Sequence, residues 1–395
     1  MLNPADAALA IDAAFASIAS ESIALENATG RVLAESLSAE RDLPPFDRVA
    51  MDGIAIRHSG WIAGIRRYTV DGIIGAGSEP FALTSDDHCI EVMTGAMMPP
   101  GADTVIPVEM IRLTDGFAIL GEESVSLGAN IHRQASDGLA GDLVLTTGTL
   151  LRGPELAIAA SVGRARVAVA RQPKLAIIST GDELVGPDTD LKPWQIRRSN
   201  AHGIAACLRS RAYSSLTDVH IVDDRPQLTA RLGALLASHD VLILSGGVSA
   251  GRFDYVPGVL ADLGVRRVFH KIAQRPGKPL WFGVSAAGKP VFALPGNPVS
   301  TLVCLVRYVL PALERLSGRQ PRPVAMATLQ DGWAGNTGLT AFIPVVRAGS
   351  NDPAVRLHQT RGSGDFISLV GTDGFVELPS GVRLAPGAAV PFYNW

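Results

Sequence analysis

Val241-Leu-Ile-Leu-Ser-Gly-Gly-Val-Ser-Ala-Gly251 sets four apolar residues directly against a loop of serine and glycine. The same order of apolar run, Gly- or Pro-rich loop and helical pattern recurs on both sides of it. Leu175-Ala-Ile-Ile178 runs into Thr180-Gly-Asp-Glu183, and a helix is expected near Ala201–Arg211. Val219–Val222 precedes a helix with Leu228, Leu232, Leu235 and Leu236 on one face. Val291-Phe-Ala-Leu294 runs into Pro295-Gly-Asn-Pro298 and a helix to about Leu316, with a further strand at Leu280–Phe282. This alternation predicts an α/β fold over residues 171–318, a parallel sheet covered by helices.

The flanking sequence has a different texture. Residues 1–45 open with a helix signal: Asn3 as cap, Pro4 at the first helical position, then Ala8, Ile11, Ala14 and Ile18 at helical spacing. Residues 46–140 are rich in Gly, Pro and short alternating apolar runs, which predicts small β structure with long turns. Residues 141–170 alternate again around a short helical stretch near Pro154–Ser161, and residues 319–395 read as a small all-β domain or barrel.

The chain has 395 residues, enough for two to four domains at about 100–200 residues each. Thirty-five Lys+Arg against 38 Asp+Glu leave a net charge of −3, so no overall basic field draws it to nucleic acid. Mean hydropathy is +0.22, yet no window of about 18 residues is free of charge or breakers, so no membrane span is expected. No Lys or Arg precedes Arg31, and the three cysteines (Cys89, Cys207, Cys304) are too widely spaced for a zinc knuckle or a disulfide framework. A soluble protein of a reducing cytoplasm is expected.

In an open parallel sheet, ligands bind beyond the carboxyl ends of the strands. Thr180–Glu183, Ser245–Gly251 and Pro295–Pro298 fall at that edge, where Gly lets backbone N–H groups approach an anion closely. The third loop opens a helix, with Asn297 as cap and Pro298 at its first position, so the helix dipole favours phosphate there. Neither a Walker A pattern nor a full GxGxxG is present, which removes the main support for ordinary nucleotide hydrolysis and nicotinamide chemistry. Glu183, Asp223, Asp224 and Asp254 lie near strand ends and can hold Mg²⁺, which needs only one or two protein oxygens when phosphate supplies others. Lys271, Arg275 and Lys278 surround a Pro-Gly turn and suit a polyanion.

Plain structural readings stand beside these. Asp254 before Tyr255 and Pro257 reads equally as a helix cap, Asp224 as a charge favouring a helix start, and Ser199 and Asn200 as caps. Each cation alone reads as a solvated surface charge. Pro44-Pro-Phe-Asp-Arg-Val-Ala-Met-Asp-Gly53 reads as a rigid exposed loop, with Asp52-Gly53 a turn signal. In Met93-Thr-Gly-Ala-Met-Met-Pro-Pro-Gly-Ala-Asp103, the Met pair reads as core filling.

Taken together, Pro44–Gly53, Thr94-Gly-Ala96 with Pro99–Asp103, Thr180-Gly-Asp-Glu-Leu184, Ser245-Gly-Gly-Val-Ser249, Asp254-Tyr255, Pro276-Gly-Lys-Pro279 and Leu294-Pro-Gly-Asn-Pro-Val-Ser300 resemble the molybdopterin molybdenumtransferases. These are the MoeA-type molybdenum insertases, a family that includes the gephyrin E domain. The matches run in the family's order from about residue 40 to 300. The resemblance implies a late step of molybdenum cofactor synthesis. Molybdenum from molybdate enters the dithiolene of molybdopterin adenylate, and Mg²⁺-dependent cleavage of the phosphoanhydride releases AMP.

It also implies a multidomain homodimer with a shared active-site cleft. An elongated linker domain would take residues 1–45 and 140–170, and a small mainly β domain 46–139. A three-layer, MogA-like molybdopterin-binding α/β domain would take 171–318 and a C-terminal β-barrel domain 319–395. Asp52, Thr94 and Asp137 would come from the second domain's side of the cleft. Glu183, Asp223 and Asp254 would serve metal or phosphate, and Lys271 and Arg275 molybdate or phosphate. Thr180, Gly181, Asp182, Ser245, Gly246, Gly247, Val248, Ser249, Lys278, Pro295, Gly296, Asn297, Pro298 and Ser363 would bind the pterin nucleotide. Transient contact with the adenylyltransferase and with molybdoenzyme maturation proteins is implied as well, whereas the cysteines would be structural.

Several positions depart from the family's usual pattern: Val49 for a small polar residue, Ile54 for an aromatic and Arg275 for Lys. Arg198 and Arg252 stand where acids are common and add two positive charges at the phosphate edge. Two alternatives remain at this point: a weakly active or non-catalytic molybdopterin carrier or scaffold, and the preceding adenylyl transfer itself.

Overall fold

The computed structural model describes residues 1–247, 255–321, 323–335, 338–349 and 352–395. The chain forms two compact units. One comprises Met1–Glu35, Thr147–Gly153 and Arg166–Trp395, the other Ser36–Thr146 and Pro154–Ala165.

The first unit is built on a six-stranded sheet in the order Leu216–Ile221, Leu175–Thr180, Val241–Ser245, Pro290–Leu294, Trp281–Val284, Arg266–His270. The first four strands are parallel, as the sequence predicts. The last two are antiparallel, so the sheet is mixed rather than parallel throughout. Trp281–Val284 and Pro290–Leu294 are joined by five residues in which Ser285 donates to Lys289 O. A connection that short closes a hairpin and cannot make a crossover.

Neighbouring residues on each central strand enter different cores. Leu175, Ile177, Val241, Ile243, Phe292 and Leu294 pack with Ala7 and Ile11 of the Pro4–Asp12 helix, Ile204 and Leu208 of the Ser199–Arg209 helix, and Val299–Leu316. Ala176, Ile178, Leu242, Leu244, Val291 and Ala293 pack with Leu228 and Leu232 of the Arg225–Ser238 helix and Val259 and Leu260 of Val256–Asp262. Covering both faces is what makes these strands continuous apolar runs without a period of two. The first helix is shorter than its spacing predicts. Asn3 caps it by accepting from Asp6 N–H at 2.8 Å, and it stops at Asp12, so Ala14 and Ile18 pack on the core from beyond its end.

Residues 325–394 supply a closed five-stranded barrel. Thr340–Arg347, Ala354–Leu357, Ala325–Leu329, Ala389–Asn394 and Gly374–Leu378 pair in that order, and the last strand pairs back to the first. The two-residue strand Gln274–Arg275 adds to its rim, parallel to Thr340–Ala341. Phe342 and Phe375 of the barrel share a core with the helical face of the sheet, which joins the two substructures.

The second unit holds a six-stranded sheet: Thr104–Pro107, Gly53–Ile56, His88–Val92, Arg67–Ile74, Phe117–Leu120, Ile111–Thr114. Ala55 faces one core, while Ile54 and Ile56 face the other. The Pro44–Gly53 segment is less exposed than its composition predicts. Arg48–Val49 pairs with Ile131–His132, and Val49 is fully buried because it faces the Ala55 core. Of the Met pair, Met98 fills that core and Met97 stays exposed. Among the described residues no helix is long and apolar enough to cross a membrane.

Candidate functional site

Three loops leave the sheet at adjacent register positions. Ser179 pairs with Ser245 and Ser245 with Leu294, so the loops after Thr180, Ser245 and Leu294 start side by side. Gly246 donates to Leu294 O at 3.2 Å, Asp223 donates from its backbone to Asp182 Oδ1 at 3.0 Å, and His220 Nε2 lies 2.8 Å from Gly181 O. Gly247 has φ +67°, and a Cβ there would lie 2.7 Å from Val256 Cγ2 and 2.9 Å from Thr180 Oγ1. Only glycine lets the second loop run that close to the first. The Thr180 hydroxyl is buried and makes no hydrogen bond to the described residues.

These loops line a cavity of about 990 Å³, within the range of sites that enclose ligands of nucleotide size. Thr180, Gly181, Glu183, Asp223, Gly246 and Gly247 form one wall, and Pro295, Gly296 and Asn297 continue it. Arg275 and Lys278 come from the Pro-Gly turn, and Trp333, His358, Arg361 and Ser363 come from the barrel side. The Trp333 Nε1–H is a second buried polar group here without a partner among the described residues. Cations and carboxylates therefore share one concave surface, and two of its lining residues, Thr180 and Trp333, carry buried hydrogen-bonding groups without a partner among the described residues.

Asn297 stands at the helix cap position with Pro298 first in the helix, as read from sequence, but its side chain does not cap. It donates instead to Ser363 Oγ at 2.7 Å, and Val299 N–H donates to Ser363 O at 3.1 Å. Part of the helix terminus is thus already satisfied by the barrel.

Other predicted residues lie elsewhere. Lys271 does not line the cavity; it sits at φ +74°, an uncommon conformation for a lysine, and its N–H bonds Leu280 O at 2.9 Å. Asp182, Ser245 and Pro298 are not among the residues that line the cavity. Asp224 also lies outside the lining and caps the Arg225–Ser238 helix, accepting from Gln227 N–H at 3.0 Å. Among the described residues no three His, Cys, Asp or Glu side chains gather to hold a metal. Val248, Ser249, Arg252 and Asp254 lie outside the described residues.

In the second unit, Thr94 donates to Asp52 Oδ1 from its backbone (2.7 Å) and its hydroxyl (2.6 Å). These two bonds hold the Asp52 carboxyl below the usual carboxylate range. Asp137 Oδ1 lies 2.8 Å from His132 Nε2, whose other nitrogen lies 2.9 Å from Arg48. All three residues predicted for this unit therefore sit in defined polar contacts.

Two expectations change. Ser199 and Asn200 are not caps: the helix begins at Ser199, Arg198 takes the cap position, and Asn200 reaches across to donate to Ser245 Oγ and Gly296 O. Arg198 does not add a bare charge at the phosphate edge, because Asp218 pairs with it through two bonds of 3.1 and 3.2 Å. Asn200, Gln274, Trp333, His358 and Arg361 were not readable as site residues. None belongs to a loop at the carboxyl ends of the parallel strands of residues 171–318, where the sequence points to ligand binding.

A three-layer α/β domain whose strand edge opens on a charged cavity walled by a β-barrel defines a multidomain α/β protein with one large polar site. Comparison with known proteins makes this specific. Residues 3–163 match the MoeA N-terminal region (domain I and II), 176–315 the probable molybdopterin binding domain, and 326–395 the MoeA C-terminal region (domain IV). A molybdopterin molybdenumtransferase of Synechocystis is 38% identical over the full length of both chains. One from Staphylococcus epidermidis is 32% identical over 91% of this chain and 87% of that one. Two crystal structures of the molybdopterin biosynthesis MoeA protein from Pyrococcus horikoshii superpose over the whole chain. One has TM-score 0.86 and 27% identity over all of both chains, the other 0.80 and 31% with 99% of that chain covered. The chain belongs to the molybdopterin molybdenumtransferase family, transferase enzymes of molybdenum cofactor biosynthesis.

Proposed function

We propose that this chain is a molybdenum insertase. It transfers molybdenum from molybdate to the dithiolene of adenylylated molybdopterin, with hydrolysis of the phosphoanhydride to AMP and release of molybdenum cofactor. The observation that carries the reading is the cavity where Arg275, Lys278 and Arg361 meet Glu183 and Asp223, with the Thr180 hydroxyl making no hydrogen bond among the described residues. A ligand carrying a pyrophosphate and a co-substrate dianion repel each other, so cations are needed to bring them together.

In this reading, Arg275 and Lys278 gather molybdate and phosphate oxygens, the Thr180 hydroxyl and Trp333 indole N–H bond polar atoms of the pterin nucleotide, and Gly247 lets it approach the backbone. The two dithiolene thiols bond to molybdenum through sulfur, and their two protons leave with one molybdate oxygen as water. A water oxygen bonds to phosphorus as the anhydride P–O bond breaks, so AMP and the pterin each keep one phosphate. Glu183 and Asp223 fit Mg²⁺ as a hard oxygen donor pair, with Asp254 and Asp224 the other acids proposed near it. Mg²⁺ bound there would neutralise phosphate charge.

The fuller picture has a cytoplasmic homodimer in which Asp52, Thr94 and Asp137 reach the cavity from the partner subunit. The chain divides as 1–45 with 140–170, 46–139, 171–318 and 319–395, and contacts with the adenylyltransferase and with maturation proteins are transient. The decisive test supplies pterin adenylate and Mg²⁺ and follows AMP with and without molybdate. Molybdate-dependent AMP release with active cofactor formed is the expected result. Tight binding with no release identifies a carrier or scaffold, and ATP consumption with adenylate accumulating identifies an adenylyltransferase. Glu183→Ala should abolish release in a folded chain, and co-expression with Asp52→Ala should restore it through mixed dimers.

A further inference from the structure

The two cations of the Arg275-Pro-Gly-Lys278 turn are separated by residues whose carbonyls are both held from the protein interior. Gln274, fully buried, donates from Nε2 to Pro276 O at 3.0 Å. Cys304, also fully buried, donates from Sγ to Gly277 O at 3.6 Å. Gln274 Nε2 in turn lies 3.6 Å from Cys304 Sγ, and Gln274 Oε1 accepts from the Tyr308 hydroxyl. Burial pushes the Cys304 thiol up, so it stays an S–H donor at neutral pH. Gly277 has φ +92°, and a Cβ there would fall 2.5 Å from Gln274 Nε2 and 2.6 Å from Cys304 Sγ. The turn is packed directly onto this network.

Cys304 and Tyr308 belong to the long helix that begins at Pro298, one turn apart, and residues 305–309 form a π-helical turn. Such turns recur at functional sites, where they redirect side chains. Here the residue before Tyr308 faces the barrel. Arg307 pairs with Glu377 at 2.8 Å, and Tyr393 donates to the same carboxylate oxygen at 2.9 Å. Gln274 itself lies on the strand that pairs with Thr340–Ala341 of the barrel. The π turn therefore grips the barrel through one residue and the cation turn through the next.

We propose that Gln274, Tyr308 and Cys304 are positioning residues for anion binding: their buried network sets the separation of Arg275 and Lys278 in the cavity. This rests on the reading of the cavity as the anion site. A polar cluster in an apolar core costs desolvation unless fully bonded, and here each bond terminates on the turn or on the residue that holds it.

The test measures calorimetric binding of molybdate, and separately of inorganic phosphate, to the full-length chain and to four variants. Thermal unfolding is recorded in parallel. Tyr308→Phe removes only the hydroxyl, and Gln274→Leu removes the amide at similar volume. Both should weaken molybdate about tenfold or more, the size expected when a hydrogen bond that orders a charged contact is lost. Cys304→Ala should weaken it about fivefold, whereas Cys304→Ser, which keeps a donor, should bind within about twofold of wild type. A core-filling role would move the unfolding midpoint and leave affinity alone. If Gln274→Leu does not fold, Tyr308→Phe and the Cys304 pair decide the matter. Wild-type-like affinity in the folded variants overturns the positioning role while the cavity reading stands. A wild-type chain that binds neither anion overturns both.

Discussion

Asn200 Nδ2 lies 2.8 Å from Ser245 Oγ, and the same amide nitrogen donates to Gly296 O at 2.7 Å. One side chain on the Ser199–Arg209 helix thereby ties the end of the Val241–Ser245 strand to the loop that follows Leu294. Asn200→Ala leaves both acceptors without that donor. The expected cost is about 1–2 kcal/mol of stability, together with a fall of roughly tenfold in kcat/KM for molybdate-dependent AMP release as strand end and loop separate. Asn200→Asp keeps the shape but presents a carboxylate to a carbonyl and should be worse. Urea unfolding and steady-state kinetics on the three proteins check this.

Thr180 offers the opposite sign. Its buried hydroxyl has no partner among the described residues, so Thr180→Val removes a desolvated polar group from the free protein. The unfolding midpoint should stay level or rise, while KM for the pterin nucleotide increases about five- to tenfold if the hydroxyl bonds the ligand. An unchanged KM would assign the hydroxyl no role in binding.

Arg198 should matter little to catalysis despite its position. Its charge is matched by Asp218, which is partly exposed with 38% of its side chain accessible. Arg198→Ala should cost at most about 1 kcal/mol and change KM for molybdate less than about threefold. A larger rise in KM would show that the guanidinium reaches the anion.

Asp240 links acid stability to the far end of the sheet. Partial burial pushes its carboxyl up, but two 2.9 Å bonds from Arg171 and a 2.7 Å bond from Lys174 N–H prevail and hold it below the usual carboxylate range. A lowered native value means that this stabilisation is fully present above about pH 4 and is lost as pH falls through the native value. Asp240→Asn should therefore lose about 1 kcal/mol at pH 7 and show a flatter decline below pH 4, followed as the urea midpoint against pH. Activity at neutral pH should be unaffected, since Asp240 precedes the Val241–Ser245 strand at the end away from the cavity loops.

The central strands were legible because both of their faces are covered: Leu242 and Ile243 enter opposite cores, so the run is apolar at every position. Gly246, Gly247 and Pro295 then mark the strand ends. Direction was less legible. Trp281–Val284 is as apolar as its parallel neighbours, and its antiparallel pairing shows only in the hairpin that returns through Ser285 and Lys289. Helix starts misled for a related reason. Ser199-Asn200 ahead of an apolar period has the composition of a cap, and only the proximity of Ser245, 45 residues away in the chain, gives Asn200 another use.

Local chemistry sufficed for the elements themselves, for the glycines that let loops approach one another, and for the kinds of charge at the strand edge, because these depend on neighbours within a few residues. The partners of those charges were decided by the tertiary structure. Arg198 is neutralised by Asp218, Asn297 is drawn to Ser363, and the turn bearing Arg275 and Lys278 is seated on Gln274 and Cys304. A hydrogen bond or ion pair depends on distance in space, and the chain brings these groups together only when the sheet and barrel close around the cavity.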